Sequence, residues 1–422
     1  MLWIATIMME TARIESMLNS FNANHVNVHH SHGLSVAFMV LALCCMALES
    51  CYRIPEALTA TDFESIPYKC VNKGGLKVSS VDTFYIDVDF DNLICSMNGN
   101  FFVKDDSLFF ADRNINEILQ FDSEGIYIGN KIKRGRGPNE LTEIEYATRN
   151  NDGNVLVMDG SWNFILFDSS WKKQNSRFLN FNQSYRSVKD RFNHPDPNNI
   201  DMYEIAYDWS SVRLYDNKAI FQITAEHPKY NGYEGNKRKH FFKNSYIFAK
   251  YNLKDSAVEM TGHYSPLYAQ KLIPSFSGVL FDIFEDKLIY SFQADSLIYV
   301  MDMIDNRNLY SFGIGGKGMN QDYESYRNFK EAERMWRDDD KQYGYYNDLR
   351  YEPETGFVYR IYSLGNNTTE GRLQVYKGSN LLGEINMTKN SRYIGNIKGK
   401  SYFALPADYE NDRFTIVRYT FN

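Results

Sequence analysis

The sequence predicts an all-β fold, a six-bladed β-propeller of four-stranded antiparallel blades closed by an amino-terminal strand. A strand pair recurs six times along the chain, and a single strand-like stretch precedes the first copy. Aromatic residues make up 15% of the 422 residues, with 31 Tyr and 29 Phe. Broad rings fit pleated, half-buried strand surfaces better than helix faces, so the composition leans to β structure.

Each copy consists of a polar turn, a strand of about five or six residues, a second turn and another strand, often ending in an aromatic and Asp or Asn. The first reads Ser107-Leu108-Phe109-Phe110-Ala111-Asp112, then Glu117-Ile118-Leu119-Gln120-Phe121-Asp122. The second spans 154–159 and 164–168, and others begin at Lys218, Lys287, Phe357 and Ser401. The starts 107, 154, 218, 287, 357 and 401 lie 44 to 70 residues apart, near a blade of about 40 to 50 residues with insertions in the middle copies. A small sheet cannot bury both faces alone, so the copies are expected to stack in a ring. A β-sandwich would rarely repeat one turn-and-strand order six times. The sixth copy supplies only the second and third strands of its blade before the sequence reaches Asn422, so that blade is expected to lack its outermost strand, and residues 83–88 alternate in the strand period. That stretch is expected to supply the missing outer strand and remove an open edge.

The amino-terminal region reads separately. Residues 34–48 are almost wholly apolar and lead into Leu48-Glu49-Ser50-Cys51. Fifteen residues are too few to span a bilayer but match the apolar region of a signal peptide. The small residue before Cys51 resembles a bacterial lipobox, with Glu49 an imperfect member, so Cys51 is the expected lipidation site. His29, His30 and His32 stand where Lys or Arg is usual, and the true start is placed downstream of Met1. The expected organisation is a removed leader over 1–50, a lipidated linker over 51–62 and one propeller domain over 63–422.

The net charge is −7 with 23% charged residues, which lacks the basic excess that nucleic acid requires. Cys44, Cys45 and Cys51 cluster near the start, while Cys70 and Cys95 stand apart. This is too sparse for a disulfide framework or a zinc site, and Cys70 and Cys95 are expected as separate buried thiols.

Between the first two copies lies Gly135-Arg136-Gly137-Pro138-Asn139-Glu140. Together with an acylation-type cysteine, this segment resembles the Gly-x-Gly-Pro signature of the six-bladed, TolB-like propeller lipoproteins of Bacteroidetes. The resemblance covers most of the chain after residue 60. It implies a propeller in the periplasm or on the surface, with no assigned chemistry. Tyr52-Arg53-Ile54-Pro55 follows Cys51 in place of the acidic residues of surface-exported relatives, which favours a periplasm-facing position.

A related stretch, Gly316-Lys317-Gly318-Met319-Asn320-Gln321, lies between the fourth and fifth copies. Glycine there suits a link crossing from one blade to the next. The alternative is an anion nest beside Lys131, Lys133, Arg134 and Arg136, although no phosphate-loop sequence follows. Asp87, Asp89 and Asp91 have calcium-loop spacing, but Asn92 and Asn98 occupy the glycine and glutamate positions, so an amphipathic strand explains them better. Residues 323–343 have a helical pattern, with Tyr326, Phe329 and Trp336 near one face, as a blade cap or a lid. The chain holds no His-Glu-x-x-His, Gly-x-Ser-x-Gly or Cys-x-x-Cys.

The strand before each repeat strand should line the channel. This places Glu145, Tyr146, Trp209, Arg213, Asp282, Asn347, Asp348, Arg350 and Arg392 at or near a central funnel. Tyr146, Trp209, Arg213, Arg350 and Arg392 are the candidate ligand-binding residues, suited to an anionic or hydroxyl-rich ligand held by guanidinium forks on aromatic faces. The expected function is a monomeric, membrane-anchored binding module for a glycan, a peptide or a protein partner, without cofactor. The alternative is a lactonase-like or lyase-like enzyme with calcium or another divalent metal on Glu145, Asp282, Asn347 and Asp348.

Overall fold

The computed structural model describes residues 63, 66–88, 93–181, 187–206, 211–225, 227–233 and 235–422. Their strands form six mainly antiparallel sheets. Taken from the channel outward, blade one is Gly99–Lys104, Ser107–Asp112, Glu117–Phe121 and Tyr127–Arg134. Blade two is Tyr146–Arg149, Val155–Met158, Asn163–Phe167 and Lys173–Phe178. Blade three is Val212–Tyr215, Lys218–Ala225, Tyr246–Asn252 and Val258–His263, and blade four is Val279–Phe284, Lys287–Phe292, Ile298–Asp302 and Asn308–Phe312. Blade five is Tyr345–Glu352, Phe357–Ser363, Glu370–Lys377 and Asn380–Thr388. Blade six is Arg392–Ile397, Lys400–Ala404, Arg413–Phe421 and, outermost, Val78–Asp87. The six inner strands touch one another in cyclic order, Gly99–Lys104 meeting Arg392–Ile397, so the ring is closed.

The second strand of every blade is buried almost throughout, as in Phe357–Ser363 and Val155–Met158. Both of its faces pack on neighbouring blades, which is why these strands read as near-continuous apolar runs. The Asp or Asn ending the third strand also has a structural cause. Side-chain oxygens of Asp122, Asp168, Asn252 and Asp302 accept the backbone N–H two residues on, at 2.9, 3.0, 2.9 and 2.8 Å. Such Asx turns satisfy a free N–H where the chain reverses toward the outer strand.

The closing strand is longer than the expected 83–88. It runs Val78–Asp87 and pairs antiparallel with Arg413–Phe421, with Tyr85 opposite Thr415. Arg418, on the third strand of blade six, grips this strand through Asp82 and reaches the last turn of blade one, donating to Glu124 Oε1 at 2.7 Å and Oε2 at 2.8 Å. Ahead of the closing strand the chain runs along the outer edges of two other blades. Lys69 N–H donates to Ser311 O of blade four, and Gly74 and Leu76 N–H donate to Leu381 and Leu382 O of blade five, all at 2.8 Å. The first described residue, Phe63, sets its ring edge-on to Tyr299 of blade four at 5.0 Å. The amino-terminal segment is therefore a belt over blades four and five before it completes blade six.

Two blades depart from four strands. Tyr203–Ile205 extends blade three, and Glu140–Leu141 runs parallel to the outer strand of blade one. The glycine signature sits in the latter bend, on the link from the outer strand of blade one to the inner strand of blade two as the structural reading expects, but what requires glycine is close approach rather than a positive φ. Gly137 is not left-handed. Its N–H donates to Glu140 Oε2 at 2.7 Å, and a Cβ on Gly135 would stand 1.9 Å from the same oxygen. The anion facing this loop is the chain's own Glu140 carboxylate. At the second glycine stretch, Gly318 is left-handed, at φ +77°.

The predicted helix spans Phe329–Gln342, and its buried residues are Ala332 and Asp339. Tyr326 precedes it, while Phe329 and Trp336 are exposed, so the aromatic-face expectation fails. The helix is fixed on two sides: Asp339 accepts from Ser275 Oγ at 2.8 Å and from the Tyr326 hydroxyl, and Ala332 packs with Leu272 and Tyr326 in a small apolar cluster. Cys70 and Cys95 are unbonded as expected, but Cys70 is exposed rather than buried. Burial pushes the Cys95 thiol up to about 12. Asp87 is exposed at the end of the closing strand, whereas Asp89 and Asp91 lie outside the described residues. Among the described residues no helix is long and apolar enough to cross a membrane.

Candidate functional site

The inner strands converge on a channel that is pinched into two chambers. The larger, ≈ 400 Å³, opens on the face where the inner strands begin, and is lined by Asn100, Arg113, Asn347 and Arg392 among others. The turn after the second strand of blade six, through Pro406 and Tyr409, also borders it. The smaller chamber, ≈ 310 Å³, lies where the inner strands end, beside Arg149, Asp152, Asp216, Glu285 and Glu352. Both share Phe101, Tyr146, Arg213, Arg350, Tyr393 and Ile394, which form the waist.

A hydrogen-bond network occupies the waist. The Tyr146 hydroxyl accepts from Arg213 Nη1 at 3.3 Å and from Arg350 Nη2 at 3.2 Å. Arg213 Nε donates to Asp282 Oδ1 at 2.8 Å, and its other nitrogens donate to the carbonyls of Val212 and Phe281. Asp282 Oδ2 accepts the Tyr351 N–H at 2.9 Å. On the opposite side Arg350 Nε lies 3.2 Å from Asp348 Oδ1, and Asp348 Oδ2 accepts the Tyr393 N–H at 2.7 Å. Burial pushes the Asp348 carboxyl up to about 6, against the downward pull of Arg392, the Tyr393 N–H and Arg213. In the second chamber burial likewise raises Glu352, whose carboxylate accepts from the Tyr393 hydroxyl. Buried charges are tolerated when paired and hydrogen-bonded in this way.

The inner-strand expectation places its residues well. Tyr146, Arg213, Asp282, Asn347, Asp348, Arg350 and Arg392 all lie on inner strands. Trp209 and Cys51 fall outside the described residues. The three arginines are not equivalent, however. Arg213 and Arg350 direct their forks into the waist, while Arg392 is exposed at the mouth of the larger chamber. The metal candidates do not form a cage. Glu145 faces Arg113, whose Nε donates to the Glu145 carbonyl at 2.8 Å and whose Nη2 lies 3.4 Å from Oε1. Both oxygens of Asp282 and of Asp348 are engaged by the protein, and among the described residues no three of His, Cys, Asp and Glu gather as a metal site.

Sequence reasoning missed the contribution of blade one, which lends Asn100, Phe101 and Arg113 to the larger chamber. The signal was available: the strand before Ser107 is 99–104, by the rule that placed the other inner strands. Asn347, named at the sequence level as a funnel residue and a candidate metal ligand, has a particular environment. Asn347 is fully buried; its Nδ2 donates to Ser391 O at 2.9 Å, while its Oδ1 has no hydrogen-bond partner.

No protein-family model matches the chain, and no curated protein matches it. Among solved structures, the chain is similar to a member of the DUF4221 family from Bacteroides vulgatus, at 14% identity and TM-score 0.58, covering 83% of this chain and 98% of that one. It also aligns with a candidate exported protein from Bacteroides fragilis at 11% identity and TM-score 0.49, covering 84% and 99%. The first likeness supports the six-bladed propeller fold.

Proposed function

We propose that this propeller is a binding module of the cell envelope, tethered through a lipid on Cys51 and facing the periplasm, which holds a glycan or peptide, or such a group on a protein partner, in the larger chamber. The observation that carries this reading is the chamber itself. It is ≈ 400 Å³, within the size range of small-ligand sites, and combines aromatic walls with a few convergent polar groups. Its floor is a network in which each charge is held by the protein, so the polar groups at the mouth are presented on a rigid base. The Tyr52-Arg53-Ile54-Pro55 sequence after Cys51 and the apolar run before it support the tether and its orientation. The detergent-solubilised protein, applied to glycan and peptide arrays, is expected to retain ligands that Arg392→Gln does not; an array blank for both forms would refute the reading. Cys51→Ala is expected to move the protein from the membrane fraction to the soluble periplasm, and unchanged fractionation would remove the lipid tether.

A further inference from the structure

Resting on the lipid tether at Cys51, we infer that the propeller also docks directly on an anionic bilayer surface, through a basic and aromatic patch formed by the segments inserted between blades two and five. The patch lies on one face. In each blade the inner strand runs away from the face where the larger chamber opens, and the antiparallel order brings the second and fourth strands back to it. Links from second to third strand, and from one blade to the next, therefore gather there. They include the helices Val188–Asn193, Gly235–Asn244 and Phe329–Gln342. Contacts join these segments into one surface. Lys229 Nζ donates to Asn193 Oδ1 at 3.1 Å and stands 4.7 Å from the Phe192 ring centroid, and the Tyr233 ring meets that of Phe329 at 4.3 Å.

Two features of the patch match a membrane interface. Phe192, Tyr233, Phe329 and Trp336 each leave between 38% and 49% of their surface in solvent, and Trp336 stands two helical turns after Phe329, hence on the same side of its helix. Half-exposed rings of this kind settle at the headgroup level. Charge is the second feature. Residues 227–244 hold Lys229, Lys237, Arg238, Lys239 and Lys243 against the single acid Glu234, in a chain of net charge −7. Phe329–Gln342 has acids and bases nearly in balance, so the blade-three insertion supplies the attraction while rings come from both sides. Basic residues beside exposed aromatics favour anionic over neutral lipid. Chain connectivity favours a bilayer over a protein partner. The belt begins at Phe63, against Tyr299 near the start of Ile298–Asp302, a strand that leaves the same face. Cys51 is twelve residues earlier, and an extended chain of that length spans about 40 Å at most, so a lipid on Cys51 keeps this face within reach of the bilayer. The larger chamber opens on this face, and docking turns its mouth toward groups carried at the membrane surface.

The test uses the purified full chain carrying Cys51→Ala, so that no lipid anchor contributes, in cosedimentation with vesicles of phosphatidylcholine alone or mixed with phosphatidylglycerol. The mixed vesicles are expected to bind it about tenfold or more tightly, and the preference should shrink as salt is raised. Adding Lys239→Glu with Lys243→Glu should erase the preference, and adding Trp336→Ser should weaken binding to both vesicles by about threefold or more. All three side chains are exposed, so these variants are expected to melt with the parent. Residues 34–48 are the same in every form and cancel from the comparison. Equal binding to the two vesicles, or an unchanged preference in the lysine variant, overturns the anionic-lipid assignment. Unaltered affinity in Trp336→Ser overturns the insertion of the rings. Binding to neither vesicle overturns docking altogether and gives the face to a protein partner. The tether fails by a different result: Cys51→Ala staying in the membrane fraction after a high-salt wash, which releases a charge-held patch but not a lipid.

Discussion

Replacing Tyr146 with Phe tests whether the waist is held by its hydroxyl. The ring is retained, so no cavity opens and the transfer term of a large-to-small change does not apply. What is lost is one acceptor serving two guanidinium N–H groups, at 3.3 and 3.2 Å. These are long for charge-assisted bonds, so each is assigned about 0.5–1 kcal/mol, below the 1.5–3 of a full bond to a charged group. Arg213 keeps Asp282 and two carbonyls. Arg350 keeps Asp348 through Nε, leaving its Nη2 to chamber water. The expected loss is therefore about 1–2 kcal/mol. It should appear in urea unfolding as a lower midpoint with unchanged slope. A double-mutant cycle with Arg350→Met should return a coupling of about 0.5–1 kcal/mol. A change below about 0.3 kcal/mol together with zero coupling would refute the reasoning, because the hydroxyl would then only fill space.

Asp348 supplies a pH test. Its folded carboxyl is raised to about 6 by burial, above an unfolded value of about 3.9; its contribution is present in full below the unfolded value and is lost as pH rises through the folded one. Unfolding free energy should thus fall more steeply between pH 4 and 7 in the native protein than in Asp348→Asn, and parallel profiles would count against the buried carboxyl. Arg360 is fully buried with no ion pair among the described residues, donating to Gln374 Oε1 at 2.9 Å, Ser296 O at 2.8 Å and Ile314 O at 2.7 Å, with its guanidinium 4.0 Å from the Tyr346 ring centroid. Arg360→Met keeps the volume but strands these acceptors between blades four and five, and should destabilise by about 3 kcal/mol in the same assay; a neutral substitution would show that the acceptors find water. In the signature loop, Gly135→Ala should lower stability by about 1 kcal/mol by displacing Glu140 from the Gly137 N–H, and Gly137→Ala should do less, since its Cβ would stand 3.0 Å from Glu140; the reverse order in thermal melts would contradict the observed loop.

The parts of the fold that could be read from the chain are those whose environment repeats. The second strand of each blade is packed on both faces and carries a dense apolar signal, and in blades one to four the third strand ends in an Asx turn with a fixed terminal residue. Outer strands such as Lys173–Phe178 and Val78–Asp87 are largely exposed, and leave a weaker pattern, which is why the start of the closing strand was read five residues late. The inner strands were placed by counting back from strong neighbours, and this rule carried the site residues with it. The helix near residue 330 was recognised by period, yet its aromatic face was misassigned because Asp339 meets Ser275, 64 residues away.

By itself, the sequence determined the blade number, the closure of the ring by its own amino-terminal strand and the inner-strand positions of Tyr146, Arg213, Asp282, Asn347, Asp348, Arg350 and Arg392, because each follows from local periodicity repeated around a closed ring. It could not distinguish Arg213 and Arg350 from Arg392, since all three lie on inner strands. Tertiary structure made that distinction. Arg213 meets Asp282 across 69 residues of chain and Arg350 meets Tyr146 across 204, partners brought together only when the ring closes. The same closure left Arg392 exposed at the mouth, with no ion pair among the described residues, since a side chain's partners are set by which strands become neighbours in space.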